Sequence, residues 1–209
     1  MPILDQYPMP LIAILRGLTP ADAEWVGHTL FDAGFRLLEV PLNRPGALDA
    51  MRILLRRAPA DAVIGGGTML NRAHVDAVGE AGGRMMVSPN CNTDVIRYAV
   101  EKGMLVLPGV ATPSEAFSAL DAGAHGVKLF PAEMITPAVL KAIYSIMPPG
   151  TILMPVGGIN PQNMAAYAAA GANGFGIGSA LYKPGVAPDA LKNAAMAFMQ
   201  AREAIRKTA

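Results

Sequence analysis

Apolar residues in this chain come in short unbroken runs, separated by stretches that read as helical. The runs are LIAILRG (11–17), RLLEVPL (36–42), AVIGGGT (62–68), RMMVSP (84–89), LVLPGVA (105–111), GVKLFPA (126–132), LMPVGGI (153–159) and GFGIGSAL (174–181), eight in all. Most lack the polar alternation of a strand with one wet face. Strands covered on both faces read this way.

The punctuation between the runs repeats as well. Thr19-Pro20, Thr112-Pro113, Thr136-Pro137 and Asn160-Pro161 each put a capping side chain before a proline suited to the first helical position. Glu115, three residues after Thr112, completes a capping box. Gly34, Gly82, Gly103, Gly123 and Gly171 stand where helices end and the next strand begins. A strand, a capped helix and a terminating glycine recurring about eight times predict a (β/α)8 barrel of the TIM-barrel class. An open doubly wound sheet is the alternative, but GGGT lacks the GxGxxG spacing of a dinucleotide site. No linker or low-complexity segment interrupts residues 1–209, so one domain is expected.

Composition narrows the setting. The 209 residues suffice for a sizeable core. They are 52% hydrophobic and only 16% charged, apolar enough to predict burial of some surface against other subunits. A net charge of +1 argues against a nucleic-acid partner. No stretch is apolar enough to span a membrane, and MPILDQYPMP lacks the basic start and apolar core of a signal peptide. With a single cysteine, these features predict a cytoplasmic protein.

Against this apolar background the charges in or beside the strands stand out. In a barrel the reactive end is the C-terminal end of the strands. Arg16, Glu39 and Lys128 lie in or near that end of the first, second and sixth runs. The second and sixth strands of a ring of eight lie on opposite sides, so an inward Glu39 and an inward Lys128 would face each other. The plain reading of such a pair is a structural ion pair. The chemical reading is an imine-forming site. A desolvated amine near a second cation attacks a carbonyl. A carboxylate opposite moves the protons that imine formation and hydrolysis require. Arg16 would hold a substrate carboxylate in a bidentate fork.

The loops after the seventh and eighth strands hold VGGIN (156–160) and GIGSAL (176–181). Gly157, Gly158, Gly176 and Gly178 would let backbone N–H groups approach a phosphate, with the Ser179 hydroxyl beside them. Thr68, closing GGGT, offers a further hydroxyl at the mouth; SPN (88–90) is a weaker feature. Cys91, His28, His74 and His125 show no metal-ligand spacing and read as structural. The 13 methionines read as core filler.

Taken in order, AILRG, LEVPLNRP, GGGTML, SPN, PGVATPSEA, VKLFPAE and VGGI…GIGSAL resemble the class I aldolases of 2-keto-3-deoxy-6-phospho-sugar acids over nearly the whole chain. The resemblance implies a (β/α)8 barrel, a homotrimer, no metal and no cofactor. It implies cleavage of a phosphorylated keto-deoxy acid to pyruvate and D-glyceraldehyde 3-phosphate. By position, Lys128 matches the Schiff-base lysine and Glu39 the general acid/base. Arg16 and Thr68 match carboxylate contacts, and Gly157, Gly158, Gly178 and Ser179 the phosphate site. Two positions depart from the gluconate-specific pattern: Asn43 stands for an arginine and Val156 for a threonine. Both look like the galactonate branch. The alternatives left open are the gluconate or unphosphorylated 4-hydroxy-2-oxoglutarate substrate on the same scaffold, and a phosphate-binding barrel without catalysis.

Overall fold

The computed structural model describes residues 3–208. A short 3-10 helix, Ile3–Gln6, precedes the first strand. Nine short strands follow: β1 (Leu11–Ile14), β2 (Leu37–Pro41), β3 (Val63–Gly67), β4 (Met85–Val87), β5 (Leu105–Leu107), β6 (Gly109–Val110), β7 (Val127–Leu129), β8 (Leu153–Pro155) and β9 (Phe175–Ile177). The helices between and after them are α1 (Pro20–Asp32), α2 (Ala47–Arg57), α3 (Arg72–Glu80), α4 (Thr93–Glu101), α5 (Pro113–Asp121), α6 (Pro137–Tyr144), α7 (Met164–Ala169) and α8 (Pro188–Thr208). The expected domain also takes in Met1, Pro2 and Ala209, which lie outside the described residues.

All pairing is parallel. Six strands form one sheet in the order β5-β4-β3-β2-β1-β9, and three form another in the order β6-β7-β8. Every strand residue is buried, as the unbroken apolar runs require. Successive side chains point to opposite faces. Ala13, Leu38, Ile64, Val127 and Leu129 join the large cluster built with the helices, whereas Ile12, Ile14, Leu37, Val63 and Met154 form a smaller inner cluster. That alternation decides where two charges go. Glu39 shares the inner face with Leu37, and Lys128, between Val127 and Leu129, has to point inward.

The fifth run differs from the expectation of one strand. Pro108 has no N–H to donate, so the ladder breaks there into β5 and β6, which belong to different sheets. Its carbonyl still accepts from Lys128 N at 2.9 Å, and His125 N reaches Val106 O at 3.0 Å. At the other seam, Asn173 N bonds Leu153 O at 3.2 Å and Val156 bridges Gly176.

Helix starts follow the caps. Thr19, Thr112 and Thr136 accept hydrogen bonds from the N–H groups of Asp22, Glu115 and Val139, and Thr112–Glu115 forms the full capping box. The bonds from Ala111 and Thr112 hold the Glu115 carboxyl below its ordinary range, the Ala111 N–H contributing most. The five helix-ending glycines all take positive φ. Asn160 is the exception. It does not cap α7, whose first helical residue is Met164. Its side chain accepts instead from Gln162 N and Asn163 N in a local turn, the competing use for which asparagine is suited.

Candidate active site

Glu39 sits in the middle of β2 at 2% exposure. It fits because Gly67, at the end of the neighbouring strand, has no side chain: a Cβ there would collide with Glu39 Oε1. Glu39 Oε2 is buried without a hydrogen-bond partner. Burial pushes the carboxyl above its ordinary value, and the positive charges of Lys128 and Arg16 pull it partly back. A carboxylate kept dry and unbonded costs stability, and persists where a ligand will meet it.

Lys128, 8% exposed, lines the same small inner cavity as Glu39, together with Ile12, Ile14, Val87 and Met154. Its Nζ lies 5.0 Å from the centroid of the Phe130 ring. Lys128 and Glu39 are too far apart for an ion pair at 4.0 Å. A structural ion pair would be in contact. These two groups face one gap with space between them.

Above Lys128 the gap opens into a cleft of about 440 Å³. Arg16, Val156, Gly157, Gly158, Gly178 and Ser179 line it with the lysine, and Glu133 lies against the Gly157–Gly158 turn. Val156 is 6% exposed. Its N–H donates to Leu129 O and its carbonyl accepts from Ala132 N, so only its methyl groups face the cleft. The Gly158 carbonyl is tied down by the Asn160 and Asn163 side-chain amides, which fixes the turn.

Arg16, Lys128, Val156, Gly157, Gly158, Gly178 and Ser179 thus come together, with Glu39 beneath them. Thr68 and Asn43 are not part of the cleft wall. Thr68 follows β3 with φ 56°, a left-handed conformation that a β-branched residue adopts only under strain. Asn43 is exposed in the loop after β2. Glu133 and Lys183 line the cleft and were not singled out from the sequence. Each is the first charged residue beyond a run ending at the mouth, in VKLFPAE and GIGSALYK, and that position was the available signal. His74 and His125 each accept a backbone N–H at Nδ1, from Leu70 and Val106, and Cys91 Sγ donates to Glu115 O. Among the described residues no three His, Cys, Asp or Glu are grouped to hold a metal, and no helix is long and apolar enough to cross a membrane.

Gly67→Ala tests how tightly the carboxylate is held. The added methyl has to displace Glu39, so activity is expected to fall at least tenfold with a loss of about 1–3 kcal/mol in stability. Steady-state rates and a denaturant midpoint measure both; a fully active, equally stable variant would mean that Glu39 moves freely.

The family model described as KDPG and KHG aldolase matches residues 6–196. A probable 2-dehydro-3-deoxy-6-phosphogalactonate aldolase of Rhizobium meliloti (strain 1021) is 44% identical over 207 residues, covering 97% of this chain and 98% of that protein. A solved structure described as native KDPGal superposes with a TM-score of 0.93 at 40% identity, over 95% of this chain and 97% of that one. A KDPG aldolase from Legionella pneumophila, solved with pyruvate captured as a covalent carbinolamine, superposes at 0.81 with 28% identity over 98% of both chains. With the lysine, the carboxylate and the glycine turns gathered at one cleft, this chain belongs to the KDPG and KHG aldolase family.

Proposed function

We propose that the protein is a class I aldolase that cleaves 2-dehydro-3-deoxy-6-phosphogalactonate to pyruvate and D-glyceraldehyde 3-phosphate. One observation carries the reading. An inward lysine and a dry carboxylate stand apart at the closed end of a cleft whose outer end is lined by Gly157, Gly158, Gly178 and Ser179. The galactonate names of the Rhizobium relative and of the KDPGal structure support the substrate, and the carbinolamine in the Legionella enzyme supports the covalent chemistry.

In this reading the Lys128 amine attacks the C2 keto group, with Arg16 on the substrate carboxylate. Glu39, through a water, supplies and removes protons until water leaves and the imine stands. Glu39 then takes the C4 hydroxyl proton, the C3–C4 bond breaks, and its electron pair moves into the imine to give an enamine. The aldehyde phosphate departs from the glycine turns. Protonation of the enamine and hydrolysis release pyruvate and free the lysine. Thr68 belongs to this reading as a second carboxylate contact.

The scaffold in the same reading is one domain, a (β/α)8 barrel in which β5 and β6 count as one position. The hydrogen bonds at the two seams support closure of the ring. The assembly is a homotrimer working in the cytoplasm. Exposed Met134, Val139, Tyr144 and Ile146, in and beside α6, support contact with other copies.

Val156 and Asn43 carry the epimer preference. The galactonate and gluconate compounds differ at C4, where a threonine would offer a hydrogen bond and Val156 offers methyls. Wild type is expected to cleave the galactonate compound with the higher kcat/KM. Val156→Thr should shift the ratio toward gluconate by about tenfold, one hydrogen bond's worth. Rates on both epimers decide it. A wild-type preference for gluconate would overturn the substrate assignment, and an unchanged ratio in the variant would remove Val156 as its cause.

A further inference from the structure

Glu133 is the acidic group lining the cleft, and the proposed cycle leaves it without a task. Its carboxylate lies over the Gly157–Gly158 turn. A Cβ on Gly157 would collide with Oε2, and one on Gly158 would come within 3.4 Å of Oε1. The two glycines take φ of +113° and +62°, which leaves the turn bare for that approach. Among the described residues the Glu133 carboxylate has no ion-pair partner. A free carboxylate beside a phosphate turn repels the phosphate, so its presence calls for a compensating contact with the substrate.

The substrate offers few candidates. Between the imine carbon at Lys128 and the phosphate at the glycine turns it carries two hydroxyls, on C4 and C5. The C4 hydroxyl has to give its proton toward Glu39, in the inner cavity. Glu133 stands at the other end, against the phosphate turn. An ionised carboxylate accepts hydrogen bonds and donates none, so it reads a hydroxyl and rejects a bare methylene.

We propose that Glu133 is a specificity residue that accepts a hydrogen bond from the C5 hydroxyl of the substrate. In the reverse, condensing direction it selects phosphorylated aldehydes with a hydroxyl on the carbon next to the aldehyde. The inference rests on the aldolase reading above and adds a residue to it.

The test uses condensation with pyruvate. One acceptor is D-glyceraldehyde 3-phosphate; the other is 3-phosphooxypropanal, of equal length but without that hydroxyl. Wild type should favour the first by about tenfold or more in kcat/KM. Glu133→Ala should bring the ratio close to one. Its rate on the deoxy acceptor should hold or rise, because a negative charge has left the phosphate's side. Glu133→Gln keeps an acceptor oxygen without the charge, and should lower the ratio several-fold while retaining some preference. Borohydride trapping of pyruvate should be as efficient in both variants as in wild type, which separates loss of selection from loss of fold. If wild type condenses neither acceptor, the aldolase reading itself fails. If it condenses them and both variants keep its ratio, Glu133 has no part in selection and the aldolase reading stands.

Discussion

Lys128→Met is expected to lose essentially all cleavage, a fall of about 10⁴-fold or more, because Lys183, the other amine of the cleft, does not line the inner cavity that Lys128 shares with Glu39. The covalent adduct should vanish with it. Wild type treated with borohydride in pyruvate should gain the mass of a reduced pyruvyl group, and peptide mapping should find it on Lys128. Methionine matches the lysine stem in length and apolarity, and the surroundings are already apolar: Phe130 lies beside the ammonium and Met154 in the next strand. The variant should therefore fold at least as well as wild type, so that lost activity reports lost chemistry. The alternative of a binding barrel without catalysis predicts the opposite, no adduct in wild type and no rate to lose. An adduct on another lysine, or an active Lys128→Met, would end the imine mechanism.

Glu39→Gln should lower kcat by about 10²–10⁴-fold, the usual worth of a positioned acid/base. The pH dependence should change character as well. Burial raises the Glu39 carboxyl above its ordinary value. Activity that needs the ionised form should thus decline, as pH falls, at a value above the usual carboxylate range of about 4–4.5. The glutamine variant should lack that limb. Stability should move the other way. Between the unfolded and the raised folded value, the folded protein holds a proton that the unfolded chain has released. Stability from this group is therefore fully present below the unfolded value and is lost as pH rises through the folded one. Above the raised folded value the carboxylate is ionised, buried and, at Oε2, without a partner. Replacing it by a neutral amide should raise stability there by about 1 kcal/mol, with the gain shrinking on acidification. Urea midpoints at pH 8 and pH 5 for both proteins test this. A glutamine variant less stable than wild type at pH 8 would contradict the burial argument.

How much of this was readable beforehand depended on contrast. Lys128 between Val127 and Leu129 has one direction left to point, and the apolar neighbours announce it. Glu39 in LLEVP is the same case. The threonine caps and terminating glycines were readable because each answers a local backbone need. Pro108 was harder. A proline in an apolar run can end a strand or merely interrupt it, and here it hands the chain from one sheet to the other. Asn160 was misread because an asparagine before proline can cap a helix or close a turn, and the Gly158 carbonyl drew its neighbourhood into the turn. Glu133 and Lys183 sit in loops, where a charge is ordinary and stands out against nothing. Thr68 and Asn43 fall outside the cleft wall because loop paths, unlike strand faces, are not set by an alternating pattern.

The division of the strands has a mechanical consequence. Glu39 belongs to the six-stranded sheet and Lys128 to the three-stranded one. The distance between Glu39 and Lys128 is therefore set by how two plates abut. Along the seams the plates are stitched by few bonds, such as His125 N to Val106 O and Asn173 N to Leu153 O. A pyruvyl group fixed to the lysine and facing the carboxylate becomes a brace between them. Such a ligand should stiffen the scaffold by joining the two plates across the inner cavity, and the molecule should be hardest to pull apart midway through its own reaction.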